Sequence, residues 1–329
     1  MSSSRSLPGP ADLVEAGLAS FDRLADLERV AERYAVAITP AMEALIDRAD
    51  AHDPIARQFV PDPAELDAQP DEAADPIGDD VHSPVEGLVH RYPDRVLLKL
   101  VNVCAVYCRF CFRREMIGPG KPNMLSERAL AEAIAYISAH REIWEVILSG
   151  GDPLVLSPCR LAAVMKRLGA IEHLKILRVH TRVPAVDPGR ITPALVRALK
   201  ASGKTAYVVL HANHARELTP AARTACGRII DAGVPMLAQS VLLKGVNDDV
   251  DTLGELMRAF VECRIKPYYL HHLDRAPGTA HFRTTVAHGQ ELIRALGTRF
   301  SGLCQPSYVI DAPGEGKVPV PSVRRHQTG

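Results

Sequence analysis

The sequence predicts an α/β protein built on a parallel sheet of barrel type, with a small helical cap in front of it. Three observations carry that prediction. Six apolar runs, ending near Val103, Leu148, Val179, Leu210, Val241 and Leu270, alternate with stretches whose apolar residues recur at helical spacing; strand and helix repeated in this way build a parallel sheet. Helix starts are marked by a capping residue followed by proline at Thr192-Pro193 and Thr219-Pro220, where the missing proline N–H has no intrahelical partner to lose. Polar residues (Cys104, Ser149 to Asp152, His180, His211, Gln239 and Asp274) stand near the ends of the runs, where the chemistry of parallel α/β barrels gathers. Periodicity alone is equally compatible with a closed barrel and an open sheet.

Taken in order, residues 1–60 form the cap, with Leu24, Leu27, Val30 and Tyr34 at helical spacing and a second start at Thr39-Pro40 leading into Met42, Leu45 and Ile46. Residues 61–88 read as a connector. Between Pro61 and Asp80 there are eight acidic residues, four prolines and no lysine or arginine, a composition expected to be extended and solvated. Residues 89–312 carry the strand and helix repeats; one helix opens at Ser126 and places Leu130, Ile134 and Ile137 on one face. Residues 313–329 form a C-terminal segment.

The chain's 329 residues are 47% hydrophobic, enough for one large core or two modest ones. Its 39 basic and 39 acidic residues are interleaved, so no basic stripe invites nucleic acid. No apolar run has signal-peptide or membrane-spanning character, so a cytoplasmic protein with no membrane partner is expected. Three of the seven cysteines fall within eight residues, which suits a reducing compartment and ligand use rather than disulfides. Cys159, Cys226, Cys263 and Cys304 have no ligand spacing.

Cys104, Cys108 and Cys111 form Cys-x3-Cys-x2-Cys directly after a predicted strand, with Tyr107 and Phe110 between them. Three thiolates hold three irons of a cubane cluster, leaving the fourth open to chelation by the amine and carboxylate of an amino acid. The alternative, structural zinc, wants four protein ligands, and no second cysteine pair is present.

Cys104-Ala-Val-Tyr-Cys108-Arg-Phe-Cys111 resembles the signature of radical S-adenosylmethionine (SAM) enzymes. The resemblance implies a partial (β/α)6-type barrel, a [4Fe-4S] cluster on the three cysteines, and Ser149-Gly150-Gly151-Asp152-Pro153 as the segment that binds the methionine portion of SAM. Further segments narrow it: His90-Arg91-Tyr92-Pro93-Asp94-Arg95, Arg113-Arg114, Leu242 to Asp248, Tyr268 to Asp274, His281 to Thr284 and Asp311 to Lys317 are similar to the lysine 2,3-aminomutase family, including its branch that isomerises lysine for elongation factor P. That likeness spans roughly residues 39 to 320.

It implies pyridoxal 5'-phosphate as a second cofactor, with Lys317 as its covalent anchor and Arg91 and Tyr92 at its phosphate. Arg113 would grip the substrate carboxylate, and Asp274 and Asp311 would receive the distal ammonium of L-lysine. His211 and Gln239 match positions around the SAM nucleoside or the cofactor; His180, His271 and His272 stay unassigned. The implied reaction is amino migration from L-lysine to β-lysine, started by hydrogen abstraction and fed by a low-potential electron donor such as flavodoxin or ferredoxin. A similar isomerase acting on another amino acid such as glutamate, and a non-catalytic iron–sulfur redox protein, are the competing readings.

The sequence also departs from that family. One residue fewer separates Asp311 from Lys317 than in its longer members, which puts the role of Asp311 and pyridoxal phosphate binding in question. Asp249 stands where those members have a zinc cysteine, and their oligomerising tail has no counterpart after Lys317. Neither structural zinc nor their tetramer is therefore expected.

Overall fold

The structure, a computed structural model, describes residues 6–117, 122–312, 314 and 316–321. Nine strands form one sheet: β1 (Leu88–Tyr92), β2 (Arg95–Val101), β3 (Glu145–Gly150), β4 (Ile176–Thr181), β5 (Thr205–His211), β6 (Met236–Val241), β7 (Lys266–His271), β8 (Ser307–Ala312) and β9 (Gly316–Pro319). Strand order follows chain order. From β2 to β8 every neighbour is parallel, and the two edges are finished by antiparallel β1 and β9.

The six strand–helix units expected from periodicity are β2 to β7 with the helices Glu127–Ala139, Pro158–Gly169, Pro193–Leu199, Pro220–Asp231, Val250–Glu262 and Val286–Arg299. Local chemistry starts these helices where it should: Ser126, Ser157, Thr192, Thr219, Asp249 and Thr285 each accept a backbone N–H from the first turn. A seventh parallel strand, β8, was not expected. Only Tyr308 and Val309 are buried along it, too short an apolar run to register as a period.

The sheet is nearly closed. Its edges meet through a side chain rather than a ladder: the backbone N–H of Lys317 on β9 donates to the hydroxyl of Tyr92 on β1 at 2.7 Å. Gly316 makes that seam possible. Its φ is +74°, and a Cβ there would lie 2.6 Å from the Tyr92 hydroxyl.

In the cap, the helix Leu24–Arg33 buries Leu27 and Val30, and Thr39 accepts from Met42 N to start Pro40–Glu43. Cap residues Ile38, Met42, Ile55 and Phe59 belong to the same buried cluster as Leu98, Leu148, Val179 and Leu210 of the barrel strands. The acidic connector departs from the solvated segment expected of it. Glu65 is 1% and Asp79 5% exposed, because each is paired with two arginines from the barrel. Among the described residues no helix is long and apolar enough to cross a membrane.

Candidate functional site

The carboxyl ends of β2 and β3 are stitched together by the Gly-Gly-Asp turn. Gly151 and Asp152 donate their N–H groups to Val101 O and Val103 O at 2.5 and 3.0 Å. A Cβ at Gly150 would lie 2.5 Å from Val101 O, and one at Gly151 would run into Val103 O. Two glycines are needed because two backbones touch here. The Asp152 carboxylate accepts from Thr181 Oγ1 at 2.7 Å, Arg182 N at 2.7 Å and Leu154 N at 3.0 Å. It therefore braces the end of β3 against the end of β4. Burial pushes its pKa up against those hydrogen bonds.

The cysteine loop that follows β2 is pinned to the cap: Tyr107 N donates to Ala37 O and Arg109 N to Gln58 O. Arg109 and Arg114 both pair with Glu65, Arg109 Nη2 at 2.5 Å from Oε2 and Nε at 2.9 Å from Oε1. Although burial pushes Glu65 the other way, the two guanidiniums hold it below the usual carboxylate range. Phe110 is buried against His211 and Phe282, with ring centroids at 5.8 and 6.1 Å.

Cys104, Cys108 and Cys111 line one small cavity with Tyr34, Tyr107 and Arg114. Burial, then Asp152 and the other two thiols, push Cys104 well above the ordinary thiol range. Cys111 is pushed up to about 11 by burial and by Cys108. Cys104 and Cys111, whose ionisation burial opposes, become thiolates more readily beside a cation such as iron. Among the described residues no three His, Cys, Asp or Glu side chains converge on a single-ion position; a cubane, with irons at separate corners, asks for thiolates set apart. The donor set fits a cluster.

A second group gathers around the seam. Lys317 and Asp311 are direct partners in the β8–β9 register, and the amine lies 3.1 Å from the carboxylate. The hairpin thus puts lysine and aspartate side by side despite its shortness; Pro313 and Glu315 within it lie outside the described residues. His271 Nδ1 is 3.4 Å and Arg91 Nη1 3.9 Å from Asp311. Burial notwithstanding, His271 and Lys317 hold Asp311 far below its ordinary value, whereas burial and the charge of Asp311 push Asp274 up to about 7. Two neighbouring carboxylates driven apart in this way accept one more cation readily.

Asp79 is a residue the sequence reading missed. Its carboxylate accepts from Arg91 Nη2 and Arg113 Nη2, each at 2.9 Å, and from Arg113 Nε at 3.3 Å. Arg91 also donates to Ile77 O at 2.6 Å, and Arg113 Nη1 reaches Ser149 Oγ at 3.5 Å. No motif marks Asp79, which sits among other acids; only the burial of two arginines required an anion between them.

Two histidines point to further occupants. His180 and His211 each have a buried Nε2 with no hydrogen-bond partner in the protein, and a buried donor or acceptor left so asks for a ligand. Burial, then the charges of Arg178, Lys317, His271 and Arg113, hold His180 well below its ordinary value. Burial and Arg182 do the same for His211, whose strand neighbour is Gln239. By their contacts the residues fall into two groups, one of the cysteines, Arg182, Phe110 and His211, the other of Lys317, Asp311, Arg91, Asp79, Arg113 and His180.

The chain is similar to known proteins along most of its length. Residues 98–257 match the family model described as the radical SAM superfamily. The chain is 44% identical over 286 residues to L-lysine 2,3-aminomutase of Clostridium subterminale, covering 87% of this chain and 68% of that protein. It is 42% identical over 295 residues to the enzyme of the same name from Acetoanaerobium sticklandii, covering 89% and 71%. Glutamate 2,3-aminomutase of Clostridioides difficile is 36% identical over 295 residues, covering 89% and 69%. A radical SAM protein implies a [4Fe-4S] cluster and SAM. The cysteine cavity, the glycine turn that abuts it and these relatives together place the chain in the lysine 2,3-aminomutase-like family of radical SAM isomerases.

Proposed function

We propose that this enzyme moves the α-amino group of L-lysine to the β-carbon, giving β-lysine, with pyridoxal 5'-phosphate held at Lys317. The observation that carries the reading is the placement of Lys317 at the barrel seam, its amine 3.1 Å from Asp311 and in the group that includes Arg91, Arg113 and the unpartnered Nε2 of His180. An amine, an arginine and an unpaired ring nitrogen suit a phosphate-bearing aromatic aldehyde.

When bound, the cluster and SAM supply one-electron hydrogen abstraction from an unactivated carbon, and pyridoxal phosphate supplies the carrier for the migrating nitrogen. The protein's part is placement. Cys104, Cys108 and Cys111 would ligate three irons, and Ser149, Gly150 and Gly151 would offer polar groups to the methionine portion of SAM. Asp152, held by Thr181, Arg182 and Leu154, keeps that turn in place and has lone pairs left for an ammonium. His211 and Gln239 would contact the nucleoside. Arg91 and Tyr92 would sit at the cofactor phosphate, Tyr92 also fixing the backbone of Lys317. Arg113 has Nη1 turned from Asp79 toward Ser149, and would bind the substrate carboxylate on that edge. Asp274, close enough to feel the charge of Asp311, would select a cationic side chain.

The glutamate-acting relative and the commitment of Asp311 to Lys317 favour one second reading, an aminomutase for another amino acid. The test is anaerobic reconstitution with iron, sulfide and pyridoxal phosphate, reduction, and addition of SAM with L-lysine or L-glutamate, read by mass spectrometry after chiral derivatisation. β-Lysine supports the proposal and identifies its enantiomer; β-glutamate, or deoxyadenosine with neither product, overturns the lysine assignment.

A further inference from the structure

We propose that Arg182 sets the reduction potential of the cluster by donating a charged hydrogen bond to the sulfur of Cys108. Its Nη1 lies 2.9 Å from Cys108 Sγ. The contact comes from outside the cysteine loop, and nothing in the motif foreshadows it.

The guanidinium is held so firmly that the contact cannot be incidental. Its backbone N–H is fixed by Asp152 Oδ2 at 2.7 Å. Nη2 donates to Glu217 Oε2 at 2.5 Å and to Gln58 Oε1 at 3.0 Å. Gln58 is in turn tied to Glu217 at 3.1 Å and to Asn213 at 3.1 Å, and Glu217 Oε1 accepts from Asn213 N at 2.8 Å. The plane lies 4.8 Å from the Phe59 ring of the cap and 5.6 Å from the Phe110 ring of the cysteine loop. Arg182, Glu217 and Gln58 are all buried. One edge of the fork is spent on the protein and the other is left for sulfur.

Adding an electron to a thiolate-ligated cluster adds negative charge, and a cationic donor on a ligand sulfur stabilises the reduced state more than the oxidised one. Burial strengthens that effect. Glu217, on the far side of the guanidinium, opposes it, so the pair Arg182–Glu217 acts as a dipole whose positive end faces the sulfur. In the step concerned, one electron passes from a low-potential donor to the cluster; no protein bond forms or breaks and Arg182 keeps its proton throughout.

The inference rests on the three cysteines holding the cluster, and iron content reports on that separately. The parent chain, Arg182→Gln, Arg182→Lys and Glu217→Gln are reconstituted anaerobically with iron and sulfide, without SAM or pyridoxal phosphate. Iron is assayed, and the cluster is titrated with dithionite under EPR detection. Arg182→Gln is expected to be at least tenfold harder to reduce, a negative shift of about 59 mV for a one-electron couple. Arg182→Lys, which keeps the charge, shifts less. Glu217→Gln, which removes the opposing anion, shifts positive. A purely structural role predicts no such opposition of sign. Parental potential in Arg182→Gln at parental iron content overturns the inference, as do shifts of the same sign in Arg182→Gln and Glu217→Gln. Where Arg182→Gln retains no cluster, Glu217→Gln decides: a potential equal to the parent's overturns it. A parent chain that binds no iron overturns the cluster assignment itself, before any potential is read.

Discussion

Replacing Asp79 with asparagine isolates the anion on which two site arginines depend. The amide keeps the shape and one acceptor but loses the charge shared by Arg91 and Arg113, both buried, and with it the three charge-assisted hydrogen bonds at 2.9, 2.9 and 3.3 Å. Breaking a buried pair from one side costs about 3–5 kcal/mol. Here Arg91 keeps Ile77 O and has Asp311 at 3.9 Å, which argues for the lower end. About 3 kcal/mol is roughly a hundredfold in the folding equilibrium. Asp80→Asn is the control, because Asp80 is the next residue, carries the same charge and is exposed; surface changes of that kind stay within about 0.5 kcal/mol. The assay is urea unfolding of both variants without cofactors, followed by circular dichroism. If Asp79→Asn and Asp80→Asn unfold within about 1 kcal/mol of each other, Asp79 does not hold the two arginines as argued. The same variant should regain stability in millimolar pyridoxal phosphate if Arg91 lies at its phosphate, since the added anion replaces the lost one.

Lys317→Ala should abolish the visible absorbance of bound pyridoxal phosphate and stop amino migration while leaving reductive SAM cleavage intact; loss of deoxyadenosine formation together with β-lysine would contradict a role confined to pyridoxal phosphate. Gly316→Ala should destabilise the β8–β9 hairpin by at least about 1–2 kcal/mol, because φ is +74° and the new Cβ meets the Tyr92 hydroxyl; parental thermal stability would show that the seam is not tight. Asp274, pushed up to about 7, must be ionised to receive an ammonium. Its ionised fraction falls about tenfold between pH 8 and pH 6, so KM for lysine should rise by about that factor over the range, and Asp274→Asn should flatten the profile. A pH-independent KM in the parent chain would place the ammonium elsewhere.

Much of the fold was legible because it rests on local rules. Cap residues such as Thr192 and Thr219 act on their own first turns, and the apolar residues of β2 to β7 recur within each strand because each strand buries at least two of its side chains. β8 escaped notice because its apolar run is short: its C-terminal half, Ile310 to Ala312, is only partly buried and carries Asp311 into the site. The connector misled for another reason. Eight acids without a basic residue look solvated when only neighbours in sequence are considered, yet Glu65 and Asp79 find arginines 44 and 34 residues away.

By itself the sequence determined the repeating sheet, the cysteine spacing and the residues able to hold a cluster, since periodicity, capping and ligand spacing are written within a few residues of one another. Only the tertiary structure decided how charges are shared. It paired Lys317 with Asp311 across a hairpin, placed Asp79 between Arg91 and Arg113, committed Asp152 to the ends of two strands and brought Arg182 against Cys108. Those contacts join residues up to dozens of positions apart. Burial makes an unpaired charge too costly to leave, but which partner it meets depends on where the strands end in space.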